Sequence, residues 1–162
     1  MPLNKTFKLL IVALALISFV QSRTVSEKSS KITNIPFNNP KIPSPLGPYL
    51  IGKRIDPTAA FLYISGQIGL NPDTKTLPKT VEEQARQAMI NIQTILHDAN
   101  SSLDNILKAT IYLTDMTNFA IVNTEYGKFF ETDNYPTRAC VAVKSLPMDA
   151  LVEIDIVAID NT

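Results

Sequence analysis

Leu151-Val152-Glu153-Ile154-Asp155-Ile156-Val157-Ala158-Ile159 is the stretch on which the fold turns. Successive residues of an extended chain point to opposite faces. Val152, Ile154, Ile156 and Ala158 therefore make one continuous apolar face, while Glu153 and Asp155 share the other with Leu151, Val157 and Ile159. Such a strand belongs in a sheet with one face closed by helices, and its second face, part apolar and part acidic, must meet solvent or another subunit. A carboxylate partly buried on a face of that kind holds its proton more tightly unless it is paired, a state suited to general base or acid work. The plainer alternative is a solvated strand carboxylate.

Two helices are available to close the apolar face. Val81, Ala85, Ala88, Met89, Ile92, Ile95, Leu96 and Ala99 recur at steps of three and four and predict a helix over residues 81–99. Thr80 and Glu83 form a capping box at its start, and Asn100 suits the position just past its end. Val122, Tyr126, Phe129 and Phe130 stand at helical spacing in a second helix, as a core stripe, with Asn123 beside them where it can cap or reach a site. Between the helices, residues 106–113 read as a strand with Leu107, Ala109, Ile111 and Leu113 on one face.

Further upstream, residues 49–51 read as a first strand and residues 61–65 as a second, ended by Gly66. Ser65-Gly66-Gln67 places a hydroxyl, a permissive backbone and an amide at that strand end, either as a turn cap or where backbone N–H groups meet a ligand. Downstream, Tyr135-Pro136-Thr137-Arg138-Ala139-Cys140-Val141-Ala142-Val143 sets a proline beside a turn, then an arginine, then a short apolar run that reads as a buried strand. Arg138 at that strand's entrance can offer its planar fork to a carboxylate or phosphate, or can be an ordinary surface arginine. Cys140 reads as a packed strand cysteine rather than a nucleophile, because no histidine accompanies it. His97, the chain's single histidine, reads as a surface or cap residue near a helix end.

The 162 residues are 45% hydrophobic, which suits one domain with a sizeable core. Fifteen basic and fifteen acidic residues cancel, so no overall field gathers nucleic acid or an anionic membrane. Residues 1–22 read as a signal peptide: Lys5 and Lys8 precede an apolar run over residues 9–20 that is too short for a comfortable membrane span, and small residues end near Ser22. That leader directs the chain to the secretory pathway or an organelle entered through it. Residues 23–43, rich in Ser, Asn, Lys and Pro, read as a flexible linker or a transit-like segment that would suit a mitochondrial address, and residues 44–162 as the folded domain. A single cysteine excludes an internal disulfide framework.

These elements, in this order, resemble the RidA (YjgF) family of reactive enamine/imine deaminases over about residues 44–160. The resemblance rests on Gly47-Pro48-Tyr49, Ser65-Gly66-Gln67, Gln84-Ala85-Arg86-Gln87, Val122-Asn123 with Tyr126 and Phe129-Phe130, Pro136 with Arg138-Ala139-Cys140-Val141, and Glu153-Ile154. It implies an α+β domain of the chorismate-mutase-like kind, a mixed β-sheet with two helices packed on one face, assembled as a homotrimer with sites in the clefts between subunits. It also implies hydrolysis of 2-aminoacrylate and related 2-imino acids to 2-keto acids and ammonia, with no metal or organic cofactor and a functional link to pyridoxal-phosphate enzymes. Arg138 would grip the substrate carboxylate and Glu153 would position and deprotonate water. Tyr49, Ser65, Gly66, Asn123 and Cys140 would complete the pocket. Lys75 stands where relatives commonly have glycine. A ribonuclease or translation-inhibitor activity, as described for some relatives, and a non-catalytic carboxylate binder or chaperone-like protein are the alternatives. The chain lacks the basic stripe and histidine pair that RNA cleavage asks for.

Overall fold

The computed structural model describes residues 31–35, 39–132 and 134–161. The signal peptide expected over residues 1–22, and the first part of the linker expected after it, lie outside the described residues. In chain order the elements are β1 (Ile32–Asn34), β2 (Lys53–Ile55), β3 (Phe61–Ile68), α1 (Val81–Asp98), β4 (Ile106–Leu113), α2 (Phe119–Gly127), β5 (Thr137–Ala142) and β6 (Val152–Ile159). Strands β3, β6, β4 and β5 form a four-stranded mixed sheet in that order, and β1 and β2 make a separate antiparallel pair. Strand β6 runs antiparallel to both its neighbours, whereas β4 and β5 are parallel, with α2 as their crossover. This is the α+β architecture expected, with the β6 stretch at the centre of the sheet.

The core lies between one face of the sheet and the two helices. Val152, Ile154 and Ile156 of β6 and Ala109, Ile111 and Leu113 of β4 pack against Ala85, Ala88, Met89, Ile92 and Leu96 of α1 and Val122 and Tyr126 of α2. Met89, Ile92 and Leu96 are fully buried, each worth about 1.5–3 kcal/mol of transfer free energy. The 3.6-residue stripe is thus the physical cause of α1's orientation. Its ends are set locally: the Glu83 amide donates to Thr80 Oγ1 at 3.3 Å. At the other end Asn100 takes φ 54°, with Ser101 N–H reaching Leu96 O at 2.8 Å and Asn100 N–H reaching His97 O at 3.0 Å, the paired bonds of a Schellman cap.

Several expectations need correction. Residues 49–51 do not form a strand; only Leu50 bridges, to Thr137, and the strand begins at Lys53. Its partner β1 lies within residues 23–43, read as linker, and its Ile32 packs with Ile55 against a small second cluster of Ala59, Leu107 and Ile159. Strand β3 does not stop at Gly66 but continues to Ile68 through a register shift between Ile64 and Gln67, a bulge that absorbs Ser65 and Gly66. Leu107 leaves the Ala109 face because the β4–β6 register also shifts, between Ile106 and Lys108. Strand β5 is a sheet edge rather than a buried strand, with Val141 41% exposed. An apolar run alone cannot separate the two cases. Lys75 takes φ 57°, the left-handed conformation in which glycine is at ease. No helix of the described residues is long and apolar enough to cross a membrane.

Candidate active site

Arg138 pairs across the sheet with Ala109, which pairs with Ile156, so its side chain leaves the sheet on the helix-covered face. There its guanidinium carbon lies 5.2 Å from the centroid of the Tyr126 ring, 5.3 Å from Tyr49 and 5.8 Å from Phe119. Three aromatic faces around one cation hold it by ring-quadrupole attraction without supplying a counter-charge. Among the described residues Arg138 Nη1 is buried with no hydrogen-bond partner. Burial pulls the guanidinium below its ordinary proton affinity, yet an arginine remains charged. A partly buried cation with an unmatched donor has the chemistry to accept an anion.

The chain before β2 forms the wall of this site. Leu50 N–H donates to Pro136 O at 3.0 Å, laying residues 47–50 beside the start of β5, and Leu46 N–H donates to Tyr49 Oη at 3.1 Å. Gly47 is where that wall passes closest: a Cβ there would stand 3.0 Å from Asn123 Nδ2 and 3.1 Å from Arg138 Nη2. Asn123 Nδ2 and Arg138 Nη2 thus flank the same point from α2 and β5. Cys140, two residues beyond Arg138 on the same face of β5, is half-buried; burial raises its thiol above the usual range and the Arg138 charge partly offsets this. A thiol so placed is a poor nucleophile at neutral pH.

Helix α2 is held in place from two sides. Tyr126 stacks on Phe130 at 4.9 Å, and Phe130 meets Tyr135 edge-on at 6.1 Å. On its other flank the buried Glu125 carboxylate accepts from Arg86 of α1 at 2.9 and 3.1 Å and from Lys128. The Lys128 hydrogen bond, followed by that of Arg86, holds Glu125 below the ordinary carboxylate range against the opposing effect of burial.

Glu153 is on the other side of the sheet. It pairs with Ile68 of β3 and Tyr112 of β4, and its carboxylate lies over the bulge: a Cβ on Gly66 would come within 1.8 Å of Glu153 Oε1. Only glycine leaves that space, which gives Ser65-Gly66 its role beneath Glu153. The neighbouring acid, Asp155, accepts from the Tyr112 hydroxyl at 2.8 Å and raises that phenol's pKa. A groove of about 430 Å³ runs from Gly66 along α1, with Lys75 and Asn91 on its walls, and Arg138 does not line it. The open face around these acids carries Tyr63, 75% exposed, and Phe61, 47% exposed.

The expected site residues therefore fall into two groups. Tyr49, Asn123, Arg138 and Cys140 gather on the helix-covered side; Gly66 and Glu153 meet on the open face with Ser65 next to Gly66 in the chain, and one chain does not bring the groups together. Sequence reasoning missed Phe119 altogether and took Tyr126 only as core. Phe119 carries no local signal of its role, since only the tertiary packing of α2 brings it to Arg138. His97 is exposed and approaches Asp98 at 3.6 Å, as a surface residue does.

With this fold and these two clusters, comparison with known proteins gives the class. The family model described as Endoribonuclease L-PSP matches residues 40–160, and the chain belongs to this family, which is the RidA (YjgF) family. It is 42% identical over 119 residues to a RutC family protein of Synechocystis, covering 72% of this chain and 89% of that protein. It is 44% identical over 101 residues to the mitochondrial protein Mmf1 of Saccharomyces cerevisiae, covering 62% of this chain and 69% of Mmf1. Among solved structures, Escherichia coli TdcF with bound serine superposes with a TM-score of 0.60 at 38% identity, covering 72% of this chain and 91% of TdcF. TdcF is named as a candidate reactive intermediate deaminase.

Proposed function

We propose that the protein hydrolyses reactive enamine/imine acids, 2-aminoacrylate and 2-iminobutanoate among them, to 2-keto acids and ammonia in clefts between the subunits of a homotrimer. The observation that carries this reading is the partly buried, aromatic-framed guanidinium of Arg138, whose buried Nη1 has no partner among the described residues. A planar carboxylate satisfies such a fork bidentately. The name of TdcF and the serine in its structure support an α-carboxylate ligand of amino-acid size. A homotrimer accounts for the separation of the two residue groups, since a second copy turned about a three-fold axis can set its open face, with Glu153, against the first copy's Arg138.

In this reading Arg138 and Asn123 hold the substrate by its carboxylate and leave the imine carbon facing the partner copy. Glu153 takes a proton from water as the oxygen bonds to that carbon and the C=N pair moves to nitrogen. That proton passes to the nitrogen to give the carbinolamine, and Glu153 then carries the hydroxyl proton to the same nitrogen as the C–N bond breaks and the C=O bond forms, so ammonia leaves. Orientation and proton transfer are the sources of acceleration, and because the imine already hydrolyses in water the barrier needs only modest lowering. The substrate comes from eliminations catalysed by pyridoxal-phosphate enzymes. The deciding experiment couples a serine or threonine dehydratase to the protein and times keto-acid release. Faster release with the protein is expected; an unchanged time course rejects the deaminase.

The ribonuclease alternative draws on the family's description, and RNA cleavage by the purified protein would favour it. The address of residues 1–22 is a separate proposal. Cleavage near Ser22 is read by N-terminal sequencing of the protein from its own cells, and a chain beginning at Met1 or Pro2 rejects it.

A further inference from the structure

Tyr126 is fully buried, and among the described residues its hydroxyl has no hydrogen-bond partner. A phenol sealed in a protein interior without a partner forfeits a desolvation cost that folding does not recover, so the position calls for an account. A phenylalanine would fill the same space beside Phe130 without that cost. Among the described residues Arg138 Nη1 is likewise buried without a partner, and Arg138 packs against the Tyr126 ring. The guanidinium has donors only, and burial keeps the Tyr126 proton on its oxygen far above neutral pH. Two unmatched donors therefore stand on adjacent side chains. What completes them is one acceptor, and an anionic oxygen does so with two charge-strengthened bonds.

We propose that the Tyr126 hydroxyl is a ligand-binding group: with Arg138 Nη1 it forms an inner half of the anion site and takes one oxygen of the bound carboxylate, while Arg138 Nη2 and Asn123 Nδ2 face the other. This deepens the carboxylate reading of Arg138 and rests on it. Tyr49, whose ring faces the Arg138 guanidinium, ends a short segment that begins at Leu46, 84% exposed. The consequence is a selectivity. The site prefers a carboxylate to its amide, because an amide NH2 turned inward would face two donors.

The test measures binding of 2-oxobutanoate and of 2-oxobutanamide to the intact wild-type protein and to Tyr126→Phe by calorimetry, with the melting temperature of each ligand-free protein. The expected result is that Tyr126→Phe melts no lower than wild type, binds 2-oxobutanoate roughly tenfold or more weakly, and loses part of the preference for the acid over the amide. Equal 2-oxobutanoate affinity in the two proteins overturns the proposal while leaving the carboxylate site intact. A lower melting temperature in Tyr126→Phe also overturns it, since the hydroxyl is then satisfied within the folded chain. Failure of the wild-type protein itself to bind 2-oxobutanoate removes the carboxylate reading and this proposal together.

Discussion

The two faces of the four-stranded sheet carry the same kinds of strand yet differ in what they finish. On the covered face, the large apolar side chains of β4 and β6 share one core with helix residues, and Arg138 of β5 is framed by three aromatic rings. On the open face, Glu153 sits over a glycine, Asp155 is engaged by a tyrosine, and Tyr63 and Phe61 stand exposed. One face is closed by helices within the chain; the other holds the acids and is covered only at one end, where Ile32 and Ile55 pack against Leu107 and Ile159. Strand alternation of period two thus puts Arg138 and Glu153 on opposite faces, and in the proposed homotrimer a second copy brings them together.

The variant that breaks this comparison most sharply is Glu153→Gln, which keeps shape and hydrogen bonding but removes the base. Turnover in the coupled assay should fall by roughly 100-fold or more, with 2-oxobutanoate still bound. Gly66→Ala acts on the same face from below. Its methyl would occupy the Glu153 carboxylate position, so turnover should fall by about tenfold to a hundredfold without loss of keto-acid binding, measured by calorimetry. On the covered face, Arg138→Lys keeps the charge but loses the fork; affinity for 2-oxobutanoate should drop by about tenfold or more while light scattering reports an unchanged oligomer.

A smaller effect distinguishes the scaffold of the covered face from its site. The folded Glu125 pKa lies below its unfolded value, so its contribution to stability is complete above the ordinary carboxylate range and is lost as pH falls through the depressed folded value. Because the Arg86 and Lys128 side chains are 47% and 57% exposed, Glu125→Gln should cost only about 1–2 kcal/mol at neutral pH. The difference from wild type should shrink in urea melts as pH drops below the carboxylate range. The smallest change is expected from Cys140→Ala, whose turnover should stay within about tenfold of wild type, since its half-buried thiol is a poor nucleophile. A dead Cys140→Ala beside a fully active Glu153→Gln would replace water attack with a thiol mechanism.

What could be read from the chain follows the range of the interactions. Helix α1 and its caps were legible to within a residue, because the stripe and the Thr80 and Asn100 signals are local. So was β6, whose alternation placed Glu153 opposite the core. The β1–β2 pair was not, since residues 32–34 gain a strand's conformation only from a partner about twenty residues away. The edge position of β5 was equally hidden, as was the bulge at Gly66, because both depend on which strand lies alongside. Arg138 and Cys140 could be paired from one strand's alternation, and Ser65, Gly66 and Asn123 were open locally to either a capping or a ligand role, whereas Tyr49 came from family resemblance. The rings of Phe119 and Tyr126 around Arg138 depend on how α2 packs, which no local pattern states.

In the proposed homotrimer each site takes Arg138 from one subunit and Glu153 from the next. Mixing the two disabled proteins tests it most directly. Arg138→Lys and Glu153→Gln chains, unfolded together and refolded in equal amounts, should rebuild about a quarter of the interface sites with both native residues and recover a matching fraction of wild-type turnover in the coupled assay. A mixture no more active than the two variants assayed separately would contradict the division of the site between subunits.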